Sequence, residues 1–534
     1  MITTCDALVI GSGFGGTMAA HTLVHAGEQV ILLERGGWVR RGPENWEADG
    51  MGLLGEHYTT ESPYLVHDER GYSTAGAFHC VGGPSVFYGG VALRFREEDF
   101  ESNPALDADS GAAWPFAYRD LERWYTAAER IIGVAGVAGE DPTEPGRSGP
   151  YPEAPGELGP VSRRIADSAR RLGYHPFRLP LAINYGAASG RRSCIGCGTC
   201  DGFACAIGAK NDLATGVIPA LIDEGLELRP YTTALRLVAD RHRVTEVVCA
   251  DTRTGQRTVY RAGRVVLAAG AIGSPHLLLA SDLHRSNPGG HVIGRYLMRH
   301  LNRIAFGVFP SEPGAAGQFQ KQIGIHDLYL GLPGQCEPRG KLGAIQQIGT
   351  PPGALVRQHL AGPLGALCAP LVGHLAGLLT IAEDQPQFEN RVVPDRFRTD
   401  RHGLPLLHLS HRYSRRDRMA SDALMRAARA VLRQAGAWAF YQHLIRTFSH
   451  AVGTVRMGLD PRTSALDGSG RFRGLDNLYV LDGSFMPRSA GVNPSLTIAA
   501  NALRCAATLA GDGPRRKRVT LGAAKGSPHV LHTH

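Results

Sequence analysis

The segment that most constrains the fold lies near the start of the chain. An apolar run, Ala7–Ile10, leads into a glycine-rich turn, and a second apolar run, Val30–Leu33, ends on Glu34. The glycines of the turn are Gly11, Gly13 and Gly16. Strand, glycine turn, helix and strand in this order are typical of a βαβ unit that binds a dinucleotide. The glycines permit a tight turn, close approach of the backbone to a pyrophosphate and close packing of helix on strand, while the helix N-terminus offers free N–H groups to the phosphates.

The context of the glycines, more than their spacing, supports this prediction. Glycine accounts for 68 of 534 residues, so GxGxxG is expected by chance about once in such a chain and means little without strand, helix and acid around it. Glu34 supplies the acid, 23 residues after Gly11. A carboxylate there accepts hydrogen bonds from an adenosine ribose and disfavours the 2′-phosphate of NADP.

Length and charge restrict the class of protein. A chain of 534 residues is too long for one ordinary core, so we expect two or three domains. The net charge of +8 is spread out, and the dense basic run Arg515–Arg518 lies in a Gly/Pro-flanked tail. We interpret that run as a solvated tail and expect no nucleic-acid binding. No basic segment precedes the first strand, so we expect no signal peptide and a cytoplasmic protein.

The apolar patterns predict a cofactor domain assembled from separate segments. Helices are predicted over Tyr118–Ile132, Val161–Leu172 and Arg415–Ala435, and strands over Arg264–Ala269, Leu226–Val238, Arg243–Asp251 and the run from Leu478 to Asp482. The predicted division is cofactor domain 1–100, 191–295 and 441–511, substrate domain 101–190 and 296–440, and flexible tail 512–534.

Five motifs occur in an order that resembles a known family. They are GSGFGG with Glu34, GGPSVFYGG, LAAGAIGSPHLLLAS, SHAVGTVRMG and YVLDGSFMPRSAGVNPSLTIAANALR. In this order they resemble the glucose–methanol–choline (GMC) oxidoreductases, FAD-dependent enzymes that oxidise alcohols. The resemblance implies an α/β fold, with a Rossmann-like FAD-binding domain and a separate α+β substrate domain built on an antiparallel sheet.

The resemblance also implies which residues bind FAD. The ADP site is matched by Gly11, Gly13, Gly16 and Glu34, and the flavin loop by Gly82, Gly83, Ser85, Tyr88 and Gly89. Gly270 matches the adenine side, and Asp482 and Gly483 match the strand end near the ribityl chain. Asn493 and Pro494 match the pyrimidine edge of the flavin. Phe87 stands where members with covalent flavin can carry histidine. We therefore expect non-covalent FAD, with Tyr88 packed on the flavin or in contact with substrate.

Two further residues match the catalytic pair of that family. His450 matches the active-site histidine, and Asn493 its usual partner. Oxidation of an alcohol removes the hydroxyl proton and transfers the carbinol hydrogen as hydride. A histidine suits the proton step because it titrates near neutral pH. An asparagine amide can hold the same oxygen in position.

Four cysteines form a cluster whose role the sequence leaves open. Cys194, Cys197, Cys200 and Cys205 are spaced x2, x2 and x4. The first spacings resemble an iron–sulfur loop, although the usual following proline is absent. Zinc usually needs two CxxC knuckles placed further apart. The alternatives are an iron–sulfur cluster, a zinc site, or thiols with or without a local disulfide.

Two sequence features favour different substrates. The segments FYGG, PLAIN and GAK-D resemble the 6′-dehydrogenases of aminoglycoside pathways, which implies a sugar hydroxyl. Residues Gln358–Ala382 carry no formal charge and favour a lipophilic alcohol. We expect two short helices there, buried or forming a lid. The alternatives are peripheral membrane contact or, disfavoured by Pro363 and Pro370, a membrane span.

Oxidation of a small-molecule alcohol is the predicted function, and the sequence leaves two alternatives to it. The same fold and histidine would serve hydroxynitrile-lyase-like chemistry without net redox, and a flavin or iron–sulfur electron-transfer protein is the other alternative. The sequence leaves oxygen, a quinone or another carrier open as the electron acceptor.

Overall fold

The computed structural model describes residues 2–46, 56–58, 64–107, 110–186, 190–314, 317–332, 334, 338–350, 353, 356–357 and 362–511. The predicted tail 512–534 lies outside the described residues. The helices are α1 Phe14–His25, α2 Pro104–Asp107, α3 Tyr118–Ile132, α4 Pro160–Arg171, α5 Val217–Asp223, α6 Gly270–Ala280, α7 Pro363–Cys368, α8 Arg415–Gln434 and α9 Ser495–Gly511. The strands are β1 Ile2–Ile10, β2 Val30–Leu33, β3 Tyr64–Asp68, β4 Gly71–Ala75, β5 Phe177–Arg178, β6 Glu227–Arg229, β7 Thr232–Ala239, β8 Val244–Asp251, β9 Arg257–Leu267, β10 Leu301–Val308, β11 Ile323–Ile325, β12 Gly343–Ile348, β13 Leu375–Ala382, β14 Arg391–Thr399, β15 Pro405–Ser410, β16 Ala439–Leu444 and β17 Leu478–Val480.

A seven-stranded sheet carries the N-terminal βαβ unit. Its order is β6-β2-β1-β9-β8-β7, and β17 pairs with the C-terminal part of β9. β6, β2, β1, β9 and β17 run parallel, whereas β7 and β8 are an antiparallel pair. Ala7–Ile10 and Val30–Leu33 are buried, as expected for parallel strands covered on both faces. The strands predicted at the two ends of the chain therefore meet in one sheet, with β9 between β1 and β17.

A six-stranded antiparallel sheet forms a second layer of the molecule. Its order is β16-β10-β13-β12-β11-β5. One face packs against α8 and α4, so alternate residues of β13 such as Ala376 and Leu378 join the core beneath α8. The opposite face carries Phe306, Leu379 and Gln346. Since side chains alternate along each strand, one face of this sheet packs beneath the helices and the other, also buried, forms a wall of the candidate site. The predicted α/β fold with an antiparallel second sheet is confirmed.

The charge-free stretch Gln358–Ala382 differs from the prediction in its second half. α7 and a following 3-10 turn, Ala369–His374, agree with two short helices, but Leu375–Ala382 is β13, near the middle of the six-stranded sheet. The expectation of helices was therefore wrong for those residues. Their apolar character comes from burial on both faces of the sheet, which also removes them from any contact with lipid.

A four-stranded sheet, in the order β14-β15-β3-β4, completes the sheets found in the described residues. Among the helices that the structure describes, none is both long and apolar enough to cross a bilayer.

Candidate active site

The first glycine turn is built so that backbone atoms approach one another closely. Gly11 has a φ of +103°, in the region that favours glycine. A Cβ on Gly16 would overlap the carbonyl oxygen of Gly11, whereas a Cβ on Gly13 would meet no atom within 4 Å. The turn thus leaves no room for a side chain at Gly16 but leaves free space at Gly13, the residue that precedes α1.

Glu34 joins the two glycine-rich loops through Ser12. The Glu34 carboxylate accepts hydrogen bonds from the Ser12 hydroxyl (2.6 Å), the Ser12 N–H (3.1 Å) and the Gly36 N–H (3.0 Å). The Ser12 hydroxyl oxygen in turn accepts from the Gly82 N–H at 2.9 Å. Burial raises the pKa of Glu34, and these hydrogen bonds oppose that shift. The predicted ribose carboxylate therefore lies at the junction of both loops.

The second glycine loop lies directly against the first. Gly82 has a φ of +88°, and a Cβ on Gly83 would lie 3.2 Å from the Cα of Gly13. The Ser85 hydroxyl donates to the Gly82 carbonyl at 2.7 Å and accepts from the Leu213 N–H at 3.2 Å. The structure thus brings Gly82, Gly83 and Ser85 to Gly13, as a shared cofactor site requires.

Asp482 links the predicted adenine side to the last strand. Its carboxylate accepts from the Gly270 N–H at 2.9 Å, from the Ser274 hydroxyl, and from the Ser484 N–H at 2.8 Å. Gly483 follows as the first residue of a 3-10 turn capped by Asp482. A Cβ on Gly270 would meet no atom within 4 Å. A carboxylate and an open glycine therefore lie together at the C-terminal edge of the parallel sheet.

These features fit a dinucleotide cofactor. The open positions at Gly13 and Gly270 would be filled by a side chain on any other residue. The first turn of α1 begins at Phe14, and the first N–H groups of a helix have no partner within the helix. Glycine backbone, helix N-terminus and carboxylates match the phosphates and ribose of FAD. The residues present therefore suit that cofactor.

The predicted catalytic pair is brought together by the fold. The Asn493 amide nitrogen lies 3.4 Å from His450 Nε2, although the two residues are 43 positions apart. Gln346 on β12 donates from its amide nitrogen to Asn493 Oδ1 at 2.7 Å, and its side chain is fully buried. Because Gln346 occupies the amide oxygen, the amide NH2 of Asn493 faces His450. The six-stranded sheet thus orients one member of the pair.

A second histidine lies behind His450. His300 Nδ1 is 3.0 Å from His450 Nδ1, and His300 Nε2 is 3.1 Å from the Ser489 carbonyl oxygen. His300 is 1% exposed and has a φ of +61°. Asp384 accepts from the backbone N–H of His300 at 3.1 Å and from the Ser489 hydroxyl at 2.9 Å. His450 is therefore anchored on the side away from Asn493.

The electrostatic surroundings keep His450 neutral. Burial, His300 and Lys321 lower the pKa of His450 well below its usual value, and Asp384 opposes them. Lys321 is 5% exposed and forms an ion pair with Asp201 at 2.6 Å. Both side chains lie over Gly89, where a Cβ would be 2.7 Å from the Lys321 chain. The resting imidazole is thus a free base beside the flavin loop.

The loop of Asn493 and Pro494 adjoins the same flavin loop. The Ser495 hydroxyl donates to the Val91 carbonyl at 3.4 Å, and the Pro494 carbonyl accepts from the Ile498 N–H at 3.0 Å in the first turn of α9. Tyr88 is half-buried, lies 5.6 Å from Phe14 edge-on, and donates its hydroxyl to the Asn211 carbonyl at 3.1 Å. The Asn493 loop, the flavin loop and the start of α1 therefore lie next to one another.

The cysteine cluster forms a loop held next to this site by charge. Lys210 donates to the carbonyls of Tyr88 (2.8 Å), Cys200 (3.0 Å) and Phe203 (2.7 Å). All four cysteines, Cys194, Cys197, Cys200 and Cys205, carry free thiols. Burial raises the pKa of Cys200 to about 12. Within the described residues, no group of three or more His, Cys, Asp or Glu side chains is arranged to hold a metal ion. The iron–sulfur and zinc alternatives are therefore not supported.

Three residues of the site were not foreseen from the sequence. They are His300, which immediately precedes β10, Lys321, which lies before β11, and Gln346, which lies on β12. The adjacent amides Gln346 and Gln347 within an otherwise apolar strand were the available signal, since buried amides require partners. No pattern in the sequence predicts the positive φ of His300.

Comparison with known proteins places the chain among characterised relatives. Two family models, both described as GMC oxidoreductase, match residues 6–302 and 386–502. The paromamine 6′-oxidase of Streptomyces fradiae is 33% identical over 95% of this chain and 91% of its own, and the 6‴-hydroxyparomomycin C oxidase of Streptomyces lividus is 31% identical over the same shares. The 2-methyl-1,2-propanediol dehydrogenase of Mycolicibacterium austroafricanum is 28% identical over 93% of this chain and 94% of its own.

A solved structure shares the fold. Pyridoxine 4-oxidase from Mesorbium loti superimposes with a TM-score of 0.68 at 18% identity, over 96% of this chain and 100% of its own.

Proposed function

Since this chain belongs to the GMC oxidoreductase family, as the matches over residues 6–302 and 386–502 show, we propose that it oxidises the primary hydroxyl of an amino sugar. The broader activity is that of an FAD-dependent enzyme oxidising a CH–OH group. The observation that carries the alcohol-oxidising activity is the pair His450 and Asn493, two side chains far apart in the chain that meet at 3.4 Å beside the glycine loops.

The mechanism assigns separate tasks to the two side chains. His450 Nε2 accepts the hydroxyl proton of the alcohol as the carbinol hydrogen leaves, and its lowered pKa ensures that it begins neutral. The Asn493 NH2 donates to the same oxygen and turns the C–H bond toward the cofactor. Gln346 keeps that NH2 in place by occupying Asn493 Oδ1. Bound FAD supplies the two-electron acceptor for the hydride.

The amino-sugar assignment is supported by the relatives, and part of the argument for a lipid substrate has another explanation. The relatives that act on paromamine and on 6‴-hydroxyparomomycin C align over 95% of this chain. The charge-free stretch that favoured a lipophilic alcohol contains β13, whose residues are buried in the six-stranded sheet. Burial therefore explains the apolar composition of β13, which gives no support to a lipid substrate, whereas Leu367 and Leu371, earlier in the stretch, are exposed.

The substrate class can be tested by anaerobic reduction of the bound flavin. We expect paromamine to bleach the flavin absorbance, and we expect its 6′-deoxy analogue, which lacks only the target hydroxyl, to leave it unchanged. A long-chain alcohol and a sterol complete the panel. Bleaching by the lipid alcohols but not by paromamine would contradict the amino-sugar proposal and retain alcohol oxidation. Turnover assays should supply a dye acceptor alongside oxygen, because the relatives are named as both oxidases and dehydrogenases.

We also propose that FAD is held without a covalent bond. The Phe87 ring packs on Phe78 with centroids 4.6 Å apart, and a phenyl ring offers no nucleophile to the flavin. Denaturation in acid followed by filtration is expected to release the yellow cofactor into the filtrate. Flavin that remains with the precipitated protein would refute non-covalent binding.

A further inference from the structure

We propose that His300 is the second member of a two-imidazole proton relay, receiving a proton from His450 while His450 accepts the proton of the alcohol. The proposal rests on the proposed role of His450 as the base. It assigns a function to a buried histidine whose two ring nitrogens lie against His450 and the Ser489 carbonyl.

The hydrogen-bond partners fix the direction of the relay. The Ser489 carbonyl can only accept, so His300 Nε2, at 3.1 Å, carries the hydrogen that it donates. A neutral His300 then has a bare Nδ1, which accepts from His450 Nδ1–H across 3.0 Å. The remaining nitrogen of His450, Nε2, is left bare and lies toward Asn493. Each imidazole is thereby held in one tautomer, with the free lone pair on the side of the substrate.

The surroundings of His300 hold its ring in this position. Its backbone has a φ of +61°, a conformation that costs free energy for a residue with a side chain and persists only where neighbours impose it. Asp384 accepts from the His300 N–H at 3.1 Å, and the Tyr413 hydroxyl donates to the His300 carbonyl at 2.8 Å. The backbone is thus fixed on both sides, and the ring has bonding partners at both nitrogens.

The relay step conserves atoms and charge. The O–H bond of the alcohol breaks and an N–H bond forms at His450 Nε2, while the Nδ1–H bond of His450 breaks and an N–H bond forms at His300 Nδ1. His450 ends neutral and His300 ends as an imidazolium. The carbinol hydride leaves in the separate two-electron transfer of the proposed function. The positive charge therefore moves away from the substrate and toward the side where Asp384, a buried carboxylate, holds the His300 backbone.

The decisive variant is His300→Gln. A glutamine oxygen can accept from His450 Nδ1–H and its amide can donate to the Ser489 carbonyl, so orientation is retained while proton acceptance is lost. We expect His300→Gln to reduce bound FAD with paromamine ~10²-fold more slowly than wild type, the lower end of what a proton-transfer group contributes. In mixed H2O and D2O, the rate should depend on deuterium fraction along a curve in wild type and along a straight line in His300→Gln.

The matched control is His276→Gln, the same change at an imidazole on α6 that the proposed relay does not include. We expect wild-type rates and a curved isotope dependence for it. Flavin content and thermal stability of each variant check that the fold is retained.

A second measurement needs neither a variant nor turnover. In protein labelled with 15N-histidine, the side-chain nitrogen shifts should show the hydrogen on Nδ1 of His450 and on Nε2 of His300. The opposite tautomer at His450 would overturn the relay, as would wild-type reduction or a curved isotope dependence in His300→Gln. His450→Ala separates the two proposals: if it is inactive while His300→Gln is normal, only the relay fails, and if it too reduces flavin normally, the role of His450 fails.

Discussion

The glycine-loop region and the two-histidine region perform their tasks with different parts of the chain. At Gly11, Gly13 and Gly83 the site is made by backbone atoms and by the absence of side chains. At His450 and Asn493 it is made by side-chain nitrogens held by other side chains. The first region is therefore sensitive to added atoms, and the second to removed ones.

This difference separates binding from chemistry. A change that closes the glycine loops should remove the cofactor and, with it, every later step. A change in the imidazole and amide cluster should leave the cofactor bound and slow the proton step alone. Each of the following variants tests one side of that division.

The largest effect is expected from Gly16→Val. Its Cβ would overlap the Gly11 carbonyl oxygen, and overpacking of this kind costs about 1–3 kcal/mol, occasionally more. We expect purified protein with no bound flavin, measured as the ratio of flavin to protein absorbance. Gly149→Val, at a position where a Cβ meets no atom within 4 Å, is the control and should retain full flavin. A yellow, active Gly16→Val enzyme would show that the loop does not limit cofactor binding.

The next largest effect is expected from His450→Ala. Loss of the base should lower the rate of anaerobic flavin reduction by ~10²- to 10⁴-fold. Flavin content should equal that of wild type, because no glycine loop is altered. Stopped-flow absorbance measures the rate, and a wild-type rate would remove His450 from the proton step. Loss of flavin instead would show that the two regions are not separable.

A smaller effect is expected from Gln346→Leu. The leucine keeps the volume but cannot donate to Asn493 Oδ1, so the amide loses one hydrogen bond with a net value of roughly 1 kcal/mol, equivalent to ~5-fold in rate. We expect a lower reduction rate with unchanged flavin content. Gln346→Glu should be slower still, since its carboxylate would accept from the Asn493 amide and turn the amide oxygen toward the substrate. Equal rates for wild type and both variants would contradict the orienting role.

The smallest effect is expected from pH. His450 has a folded pKa below its usual value of about 6.5, so its base form persists below that pH. The reduction rate should therefore stay nearly constant from neutral pH down to about 6.5, with the acid decline at lower pH. Because the pKa of His450 is lower in the folded chain than in the unfolded chain, the unfolded chain takes up the proton first as the pH falls. His450 therefore lowers the free energy of unfolding as the pH falls below about 6.5. An acid decline centred near neutral pH would contradict the arrangement of His300 and Lys321 around His450.

The glycine-loop region could be predicted from local sequence, whereas the two-histidine region could not, for a physical reason. The βαβ unit is local, so strand, glycines and acid stand close together in the chain, and β2 was predicted over its observed range, Val30–Leu33. Tyr118–Ile132 was likewise predicted residue for residue. His450 and Asn493 were identified by resemblance to a family, since nothing local in the chain shows that they meet. The predicted domain boundaries stay predictions.

The residues that were missed depend on long-range pairing. Gln346 reaches Asn493 because β12 pairs with β13, and β13 itself was predicted to be helical. A charge-free run of this length has the same composition in a buried helix as in a central strand. His300 depends on a positive φ that the surrounding fold imposes. Both positions follow from tertiary contacts that no short window of sequence contains.

The contact between Gly491 and Gly343 has a consequence for how substrate preference can change. A Cβ on Gly491 would lie 2.5 Å from the Cα of Gly343, so the Asn493 loop and β12 touch backbone to backbone. A methyl group at Gly491 would therefore push the Asn493 loop away from β12 and shift the amide off the reacting oxygen for every substrate alike, and a methyl group at Gly343 would overlap the Ile381 carbonyl oxygen of the neighbouring strand. Saturation mutagenesis should leave these two positions fixed.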